Sequence, residues 1–142
     1  KGQAGDSIRL RFAESLQDNG ELYTRNFRDA RSTDVYVVSG RETKDATWAP
    51  RFIYHGFRYV EVSGYPNAKA EDFVAEVVED EMEHIGTFNC SDETLNKIIR
   101  NAFWGIRSNY KGMPVDCPQR NERQPWLGDR TMGLLGRKHA FR

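Results

Sequence analysis

The sequence has few of the residues and patterns that mark several common protein classes. Its 142 residues include two cysteines, Cys90 and Cys117, which is too few for a disulfide framework or a multi-cysteine zinc site. We therefore expect two free thiols. No apolar run approaches the roughly 20 residues that cross a bilayer, and the stretch after Lys1 lacks the apolar core of a signal peptide. The sequence thus predicts no membrane partner.

The charge balance and the histidines argue against two further classes of ligand. The 21 basic and 21 acidic side chains cancel, so the chain lacks the positive field with which a nucleic-acid-binding protein gathers its partner. His55, His84 and His139 are far apart and match no metal-ligand spacing, which favours surface or core histidines. We predict no nucleic-acid partner, no metal ion and no organic cofactor.

Short strand patterns fill the first part of the chain. In the first of them, apolar Ile8, Leu10 and Phe12 alternate with arginines, the period-2 pattern of a strand with one buried face. A turn follows at Asp18-Asn19-Gly20. Several strands with no helix between them predict an antiparallel β-sandwich. The four candidate strands are Ser7–Leu16, Asp34–Ser39, Phe52–Ser63 and Phe73–Val78.

The periodicity changes at Ser91 to that of an amphipathic helix. Ser91 is a suitable N-cap, and the helix is expected to end between Asn109 and Gly112. A second helix is expected from Gly128 or Asp129 to the end of the chain. Because the sequence begins without methionine and stops inside this predicted helix, we expect a piece of a longer protein. The apolar stripe of the first helix comprises Leu95, Ile98, Ile99, Ala102, Phe103 and Ile106.

The loop between the two predicted helices combines carboxylates, arginines, a tryptophan and three of the five prolines. A glycosidase needs one carboxyl group that delivers a proton to the leaving oxygen, and Glu122 lies centrally between Asp116 and Asp129. Those two aspartates could accept hydrogen bonds from vicinal sugar hydroxyls, and Trp126 offers a flat face to a pyranose. The alternative is a solvated surface loop in which Trp126 packs and Asp129 caps a helix.

The segment from Asp116 to Arg123, followed by Trp126 to Asp129, resembles the signature of the bacterial α-L-rhamnosidases, glycoside hydrolase family 78. That signature reads Asp-Cys-Pro-x-Arg-Asp-Glu-Arg and then Gly-Trp-x-Gly-Asp. The sequence departs from the family pattern at Asn121, where aspartate is usual, at Gln124-Pro125, where a Leu-Gly pair is common, and at Leu127, where a small hydroxyl residue is usual. Two more segments resemble the family in the same order along the chain, namely 50–62 and 86–91.

The resemblance implies a β-sandwich domain over residues 1–88, followed over 89–142 by the first helices of a truncated (α/α)6 barrel. It implies that Glu122 is the general acid of an inverting mechanism and that Asp116 and Asp129 bind rhamnose hydroxyls. Trp126 would form a wall of the sugar pocket, and Arg120 would support substrate binding. The substrate class is a rhamnose-containing glycoside or polysaccharide, and the implied setting is a bacterial periplasmic or secreted enzyme.

In that family the general base is a glutamate farther along the barrel, which no residue of this chain matches. We therefore expect the chain alone to be inactive. Two alternatives stay open, a non-catalytic carbohydrate-binding β-sandwich module and an (α/α)6 glycosidase for another sugar. The loop from Asp116 to Asp129 favours an enzyme, because a binding module has no need for three carboxylates that flank a tryptophan.

Overall fold

A computed structural model describes residues 2–126 and 128 of the chain. The chain divides into two compact units, Lys1–Glu76 with Gln119–Asn121, and Val77–Pro118 with Glu122–Arg142. Within the described residues, no helix combines the length and the apolar character that a membrane span requires.

The first unit contains a three-stranded antiparallel sheet. Strand β1 (Ser7–Ala13) lies in the centre, between β4 (Thr33–Val37) and β5 (Tyr59–Ser63). Leu10 is the Cα partner of Asp34 on one side and of Val62 on the other. The prediction of strands at both Ser7–Leu16 and Asp34–Ser39 is confirmed in outline, although β4 begins one residue earlier and ends two residues earlier than predicted.

A short hairpin follows the central strand and supplies part of the core. Strands β2 (Ser15–Leu16) and β3 (Leu22–Tyr23) pair across the predicted turn, where Gly20 has a φ of +83° that glycine adopts without strain. A 3-10 helix, Arg25–Phe27, then buries its last residue completely. The core cluster of this unit comprises Ala13, Leu22 and Phe27, with Ala30 and Tyr59 packed against it.

Of the four predicted strands, one is shorter than predicted and one does not form. The stretch Phe52–Ser63 becomes a strand only at Tyr59. Its first residue, Phe52, is not extended, because its φ is +61°. The stretch Phe73–Val78 forms no strand. It follows a 3-10 helix, Ala70–Asp72, and pairs with none of the three strands of the sheet.

A buried histidine–carboxylate contact links β4 to the segment before β5. His55 Nε2 lies 3.0 Å from Asp34 Oδ1, and both side chains are only 7% exposed. The imidazole also stacks on the Phe12 ring with centroids 4.3 Å apart. His55 is therefore a core histidine, as the sequence predicted, whereas His84 is exposed and contacts the carbonyl of Gly86.

The second unit is built around helix α1 (Glu93–Asn109). Its N-cap is Asp92 and not the predicted Ser91, since Asp92 Oδ1 accepts hydrogen bonds from the amides of Thr94 and Leu95. The predicted apolar stripe is helical, but Leu95 and Ile98 remain 47% and 54% exposed. The predicted second helix and His139 lie outside the described residues apart from Gly128.

The start of α1 is fixed by one buried polar side chain. Asn96 is 7% exposed, and its amide Nδ2 donates to the carbonyl of Cys90 over 2.8 Å. Its Oδ1 accepts from the Cys90 amide over 3.0 Å. The pair of hydrogen bonds ties the helix to the segment that precedes it. Cys90 and Cys117 are both free thiols, as expected.

Candidate active site

A tight hairpin carries the chain from α1 into the candidate loop. Strands β6 (Tyr110–Lys111) and β7 (Met113–Pro114) pair across Gly112, whose φ is +76°. The Gly112 amide donates to Asp80 Oδ1 over 2.6 Å, and the Asp80 amide donates to the Tyr110 carbonyl over 3.0 Å. The hairpin is thus anchored to the segment before α1, and this fixes where the loop begins.

The loop is closed by a reciprocal pair of hydrogen bonds between Asp116 and Gln124. The Asp116 amide donates to the Gln124 carbonyl over 3.2 Å, and the Gln124 amide donates to Asp116 Oδ1 over 2.8 Å. Within the loop, Arg123 Nη2 donates to the Pro118 carbonyl over 2.7 Å. Arg123 has a φ of +47°, in the left-handed region, so its conformation is one that the surrounding contacts must maintain.

Asp116, Cys117 and Glu122 meet inside this loop. One carboxylate oxygen of Asp116, one of Glu122 and the Cys117 Sγ all lie within 4.8 Å of one another. The Cys117 thiol donates a hydrogen bond to Asp116 Oδ2 over 3.3 Å. Trp126 joins them, because its Nε1 donates to Glu122 Oε1 over 3.1 Å. The Trp126 side chain is otherwise open, with the residue 53% exposed. Three of the five predicted site residues, Asp116, Glu122 and Trp126, therefore lie together.

The other two predicted site residues are placed differently. Arg120 is half-buried and falls in Gln119–Asn121, which groups with the first unit. In the same segment, Asn121 Nδ2 donates to Asp29 Oδ2 over 3.4 Å, so the residue that departs from the family signature has a contact within that unit. Asp129 lies outside the described residues.

Sequence reasoning missed how the predicted residues are held. It treated Cys117 only as a free thiol and considered only the ring of Trp126, whereas both side chains donate hydrogen bonds to site carboxylates. It also missed Gln124, which bonds to Asp116 through its backbone amide and carbonyl. Such a role cannot be read from the type of the side chain. The one available signal was Pro125, since a residue before proline is held in the extended conformation.

The cationic groups on the approach to the loop are engaged with protein partners. Lys111 Nζ donates to the Ser108 carbonyl over 2.7 Å, and burial lowers the pKa of Lys111. Arg107 forms a bidentate ion pair with Glu79, and the hydrogen bond from Arg107 lowers the pKa of Glu79. These contacts hold the hairpin and the helix in place beside the loop.

The same cluster has donor types that a metal ion accepts, but its atoms already have protein partners. Asp116 accepts from the Gln124 amide and from Cys117, and Glu122 accepts from Trp126. Carboxylates that are held in place by hydrogen bonds suit binding of sugar hydroxyls and proton transfer. A separate cavity of about 400 Å³ in the first unit, lined by Arg11, Phe27, Ser32 and their neighbours, includes none of the predicted site residues.

Comparison with known protein families decides the class of the chain. Residues 1–79 match the bacterial α-L-rhamnosidase concanavalin-like domain, and residues 83–141 match the bacterial α-L-rhamnosidase 6 hairpin glycosidase domain. The chain belongs to the bacterial α-L-rhamnosidase family. The resemblance that the loop motif indicated is therefore confirmed, and this chain joins a concanavalin-like sheet domain to the start of a six-hairpin glycosidase domain.

Individual α-L-rhamnosidases agree with this assignment. The chain is 44% identical over 128 residues to an α-L-rhamnosidase of Formosa agariphila, covering 88% of this chain and 14% of that protein. It is similar to the structure of α-L-rhamnosidase from Dictyoglumus thermophilum, with a TM-score of 0.92, 42% identity and coverage of 98% of this chain and 16% of that one. It is also similar to the structure of the Streptomyces avermitilis α-L-rhamnosidase complexed with L-rhamnose. There the TM-score is 0.82 at 40% identity, and the match covers 90% of this chain and 12% of that one.

The chain spans only 12% to 14% of the length of the curated α-L-rhamnosidases that it matches. It therefore corresponds to one region of those proteins, in which the sheet domain ends and the glycosidase domain begins.

Proposed function

We propose that this chain supplies the general acid of an enzyme that cleaves terminal α-L-rhamnose with inversion of configuration. Glu122 is the acid, and Asp116 and Asp129 bind sugar hydroxyls. Trp126 forms a wall of the sugar pocket, and Arg120 supports substrate binding. The observation that carries the proposal is the convergence of Asp116, Glu122 and Trp126 in one hydrogen-bonded loop. The S. avermitilis relative, whose structure contains L-rhamnose, supports the choice of sugar.

The proposed architecture assigns this loop to the second of two domains. We assign residues 1–88 to a β-sandwich and residues 89–142 to the first helices of an (α/α)6 barrel. The family matches at 1–79 and 83–141 support a change of domain in this region. In an inverting glycosidase the second carboxylate lies roughly 6.5 to 9.5 Å from the acid and activates a water molecule on the opposite face of the sugar. That base belongs to another part of the protein, so the chain alone is inactive.

The experiment compares Glu122→Gln with wild type in the full-length protein, on an alkyl α-L-rhamnoside whose leaving group needs protonation. We expect kcat to fall about 10²- to 10⁴-fold, the usual contribution of a positioned acid. The amide is nearly isosteric, so thermal unfolding should be unchanged. The matched control is Glu76→Gln, an exposed carboxylate outside the loop, which should keep wild-type rates.

Two further measurements test the rest of the proposal. Proton NMR during the reaction should show β-L-rhamnose as the first product, and α-L-rhamnose as the first product would refute inversion. A panel of aryl glycosides tests the sugar, and faster hydrolysis of another glycoside would refute rhamnose as the substrate. Wild-type rates for Glu122→Gln on the alkyl rhamnoside would remove Glu122 from the acid role.

A further inference from the structure

The edge of the Trp126 ring, and not its face, contacts the carboxylate of the proposed acid. The indole Nε1–H donates to Glu122 Oε1 over 3.1 Å. The two residues lie in a stretch without helix or strand, so this contact is not the routine neighbour relation of a helical turn. The Trp126 backbone is held in turn, because its amide donates to the Gln124 carbonyl over 2.9 Å.

This hydrogen bond restrains the one part of a glutamate that its own torsions leave loose. The final torsion of a glutamate side chain has a broad energy minimum, so a carboxyl group rotates unless a partner holds it. An oxygen that accepts an N–H hydrogen bond takes the carbonyl role when the group is protonated. With Oε1 in that role, the transferable proton of Glu122 resides on Oε2.

We infer that Trp126 is a positioning residue for Glu122, which selects Oε2 as the oxygen that delivers the proton. The inference rests on the proposed acid role of Glu122 and adds to it. A sugar wall uses the face of the indole ring, whereas positioning uses the N–H at its edge. The two roles are therefore separable, since phenylalanine retains a flat aromatic face and lacks the N–H.

The test is a double-mutant cycle in the full-length protein with wild type, Trp126→Phe, Glu122→Gln and the double variant. Each protein is assayed on an alkyl α-L-rhamnoside and on 2,4-dinitrophenyl α-L-rhamnoside, whose leaving group departs without protonation. The control is Trp104→Phe, because Trp104 is also 53% exposed but lies on α1 and stacks with Arg107. Thermal unfolding of every variant checks that the fold is retained.

We expect Trp126→Phe to lower kcat on the alkyl rhamnoside about tenfold, the effect of one hydrogen bond to a charged or proton-donating group. KM should stay within about twofold, and the dinitrophenyl substrate should be hydrolysed at nearly the wild-type rate. In the Glu122→Gln background the substitution should cause no further loss. Trp104→Phe should behave as wild type on both substrates.

Three results would overturn the inference. An unchanged kcat in Trp126→Phe, with or without a raised KM, would leave Trp126 as a wall alone. Equal losses on both substrates would mean that the N–H does not act through proton delivery, and a full loss in the Glu122→Gln background would mean that it acts independently of Glu122. Failure of the proposed function is distinguishable, because it requires wild-type rates in Glu122→Gln itself.

Discussion

Replacement of Gly64 by alanine tests the packing of the three-stranded sheet. Gly64 follows β5 and has a φ of +76°. A Cβ atom there would lie 2.0 Å from the Ser7 carbonyl oxygen of β1, a contact that backbone movement alone can relieve. The matched control is Gly20, whose φ is +83° and whose Cβ would meet no atom within 4 Å. The pair separates the cost of the dihedral angle from the cost of the contact.

The left-handed conformation costs an alanine about 1 to 2 kcal/mol, of which about 0.4 to 1 kcal/mol is offset by the reduced freedom of the unfolded chain. Forcing an atom into an occupied site adds about 1 to 3 kcal/mol. We therefore expect Gly64→Ala to destabilise the sheet by about 2 to 4 kcal/mol and Gly20→Ala by at most about 1.5 kcal/mol.

Hydrogen exchange of the β1 amides, followed by mass spectrometry, measures this difference as a local opening free energy. Exchange in Gly64→Ala should be about 30- to 1,000-fold faster than in wild type, since about 1.4 kcal/mol corresponds to tenfold. If Gly64→Ala exchanges no faster than Gly20→Ala, the close approach of Gly64 to Ser7 is wrong.

Two further predictions concern individual side chains. The pKa of Glu42 is lowered to about 2, chiefly by the hydrogen bond from the Tyr36 hydroxyl, so a carbon-13 titration of the chain should give that value. Because the pKa of Glu42 in the folded chain lies below its ordinary value, the stabilisation from ionised Glu42 is complete above pH 4.5 and is lost as the pH falls toward 2. An unshifted pKa of Glu42 in the wild type, or no rise of that pKa in Tyr36→Phe, would contradict the assignment. Asn96→Ala removes the three hydrogen bonds between its side chain and Cys90 and should cost about 1 to 3 kcal/mol, measured by exchange of the amides around Cys90. Asn101→Ala, an exposed change on the same helix, should be nearly neutral, and equal effects of the two changes would refute a special role for Asn96.

The parts of the fold that local patterns determine were predictable from the sequence. The alternation in β1, the turn before Gly20 and the apolar period of α1 each arise from interactions among near neighbours. Strand extent was not predictable in the same way, because a strand needs an edge to pair with. Phe73–Val78 has strand-forming residues but no strand, and Phe52 turns the backbone out of the extended region. At the helix start, Ser91 and Asp92 are both good caps, and only the geometry chooses between them.

The motif resemblance indicated candidate site residues but not their arrangement. The motif resemblance selected Asp116, Glu122 and Trp126, and the structure brings these three together. The hydrogen bond between the last two was beyond sequence reasoning, because in a loop a spacing of four residues does not determine which side chains meet. The pairing of Asp116 with Gln124 was hidden for a related reason, since it depends on backbone atoms.

The reciprocal hydrogen bonds between Asp116 and Gln124 close the intervening loop into a ring, so they fix the number of residues that the loop can hold. Side chains inside a ring can be exchanged while its closing bonds are kept, but an added or deleted residue must either break the closure or rotate Glu122 away from Asp116. The departures from the family signature in this stretch are all substitutions. The spacing between the two carboxylates is therefore a stricter criterion than the residues between them for finding further sites of this kind.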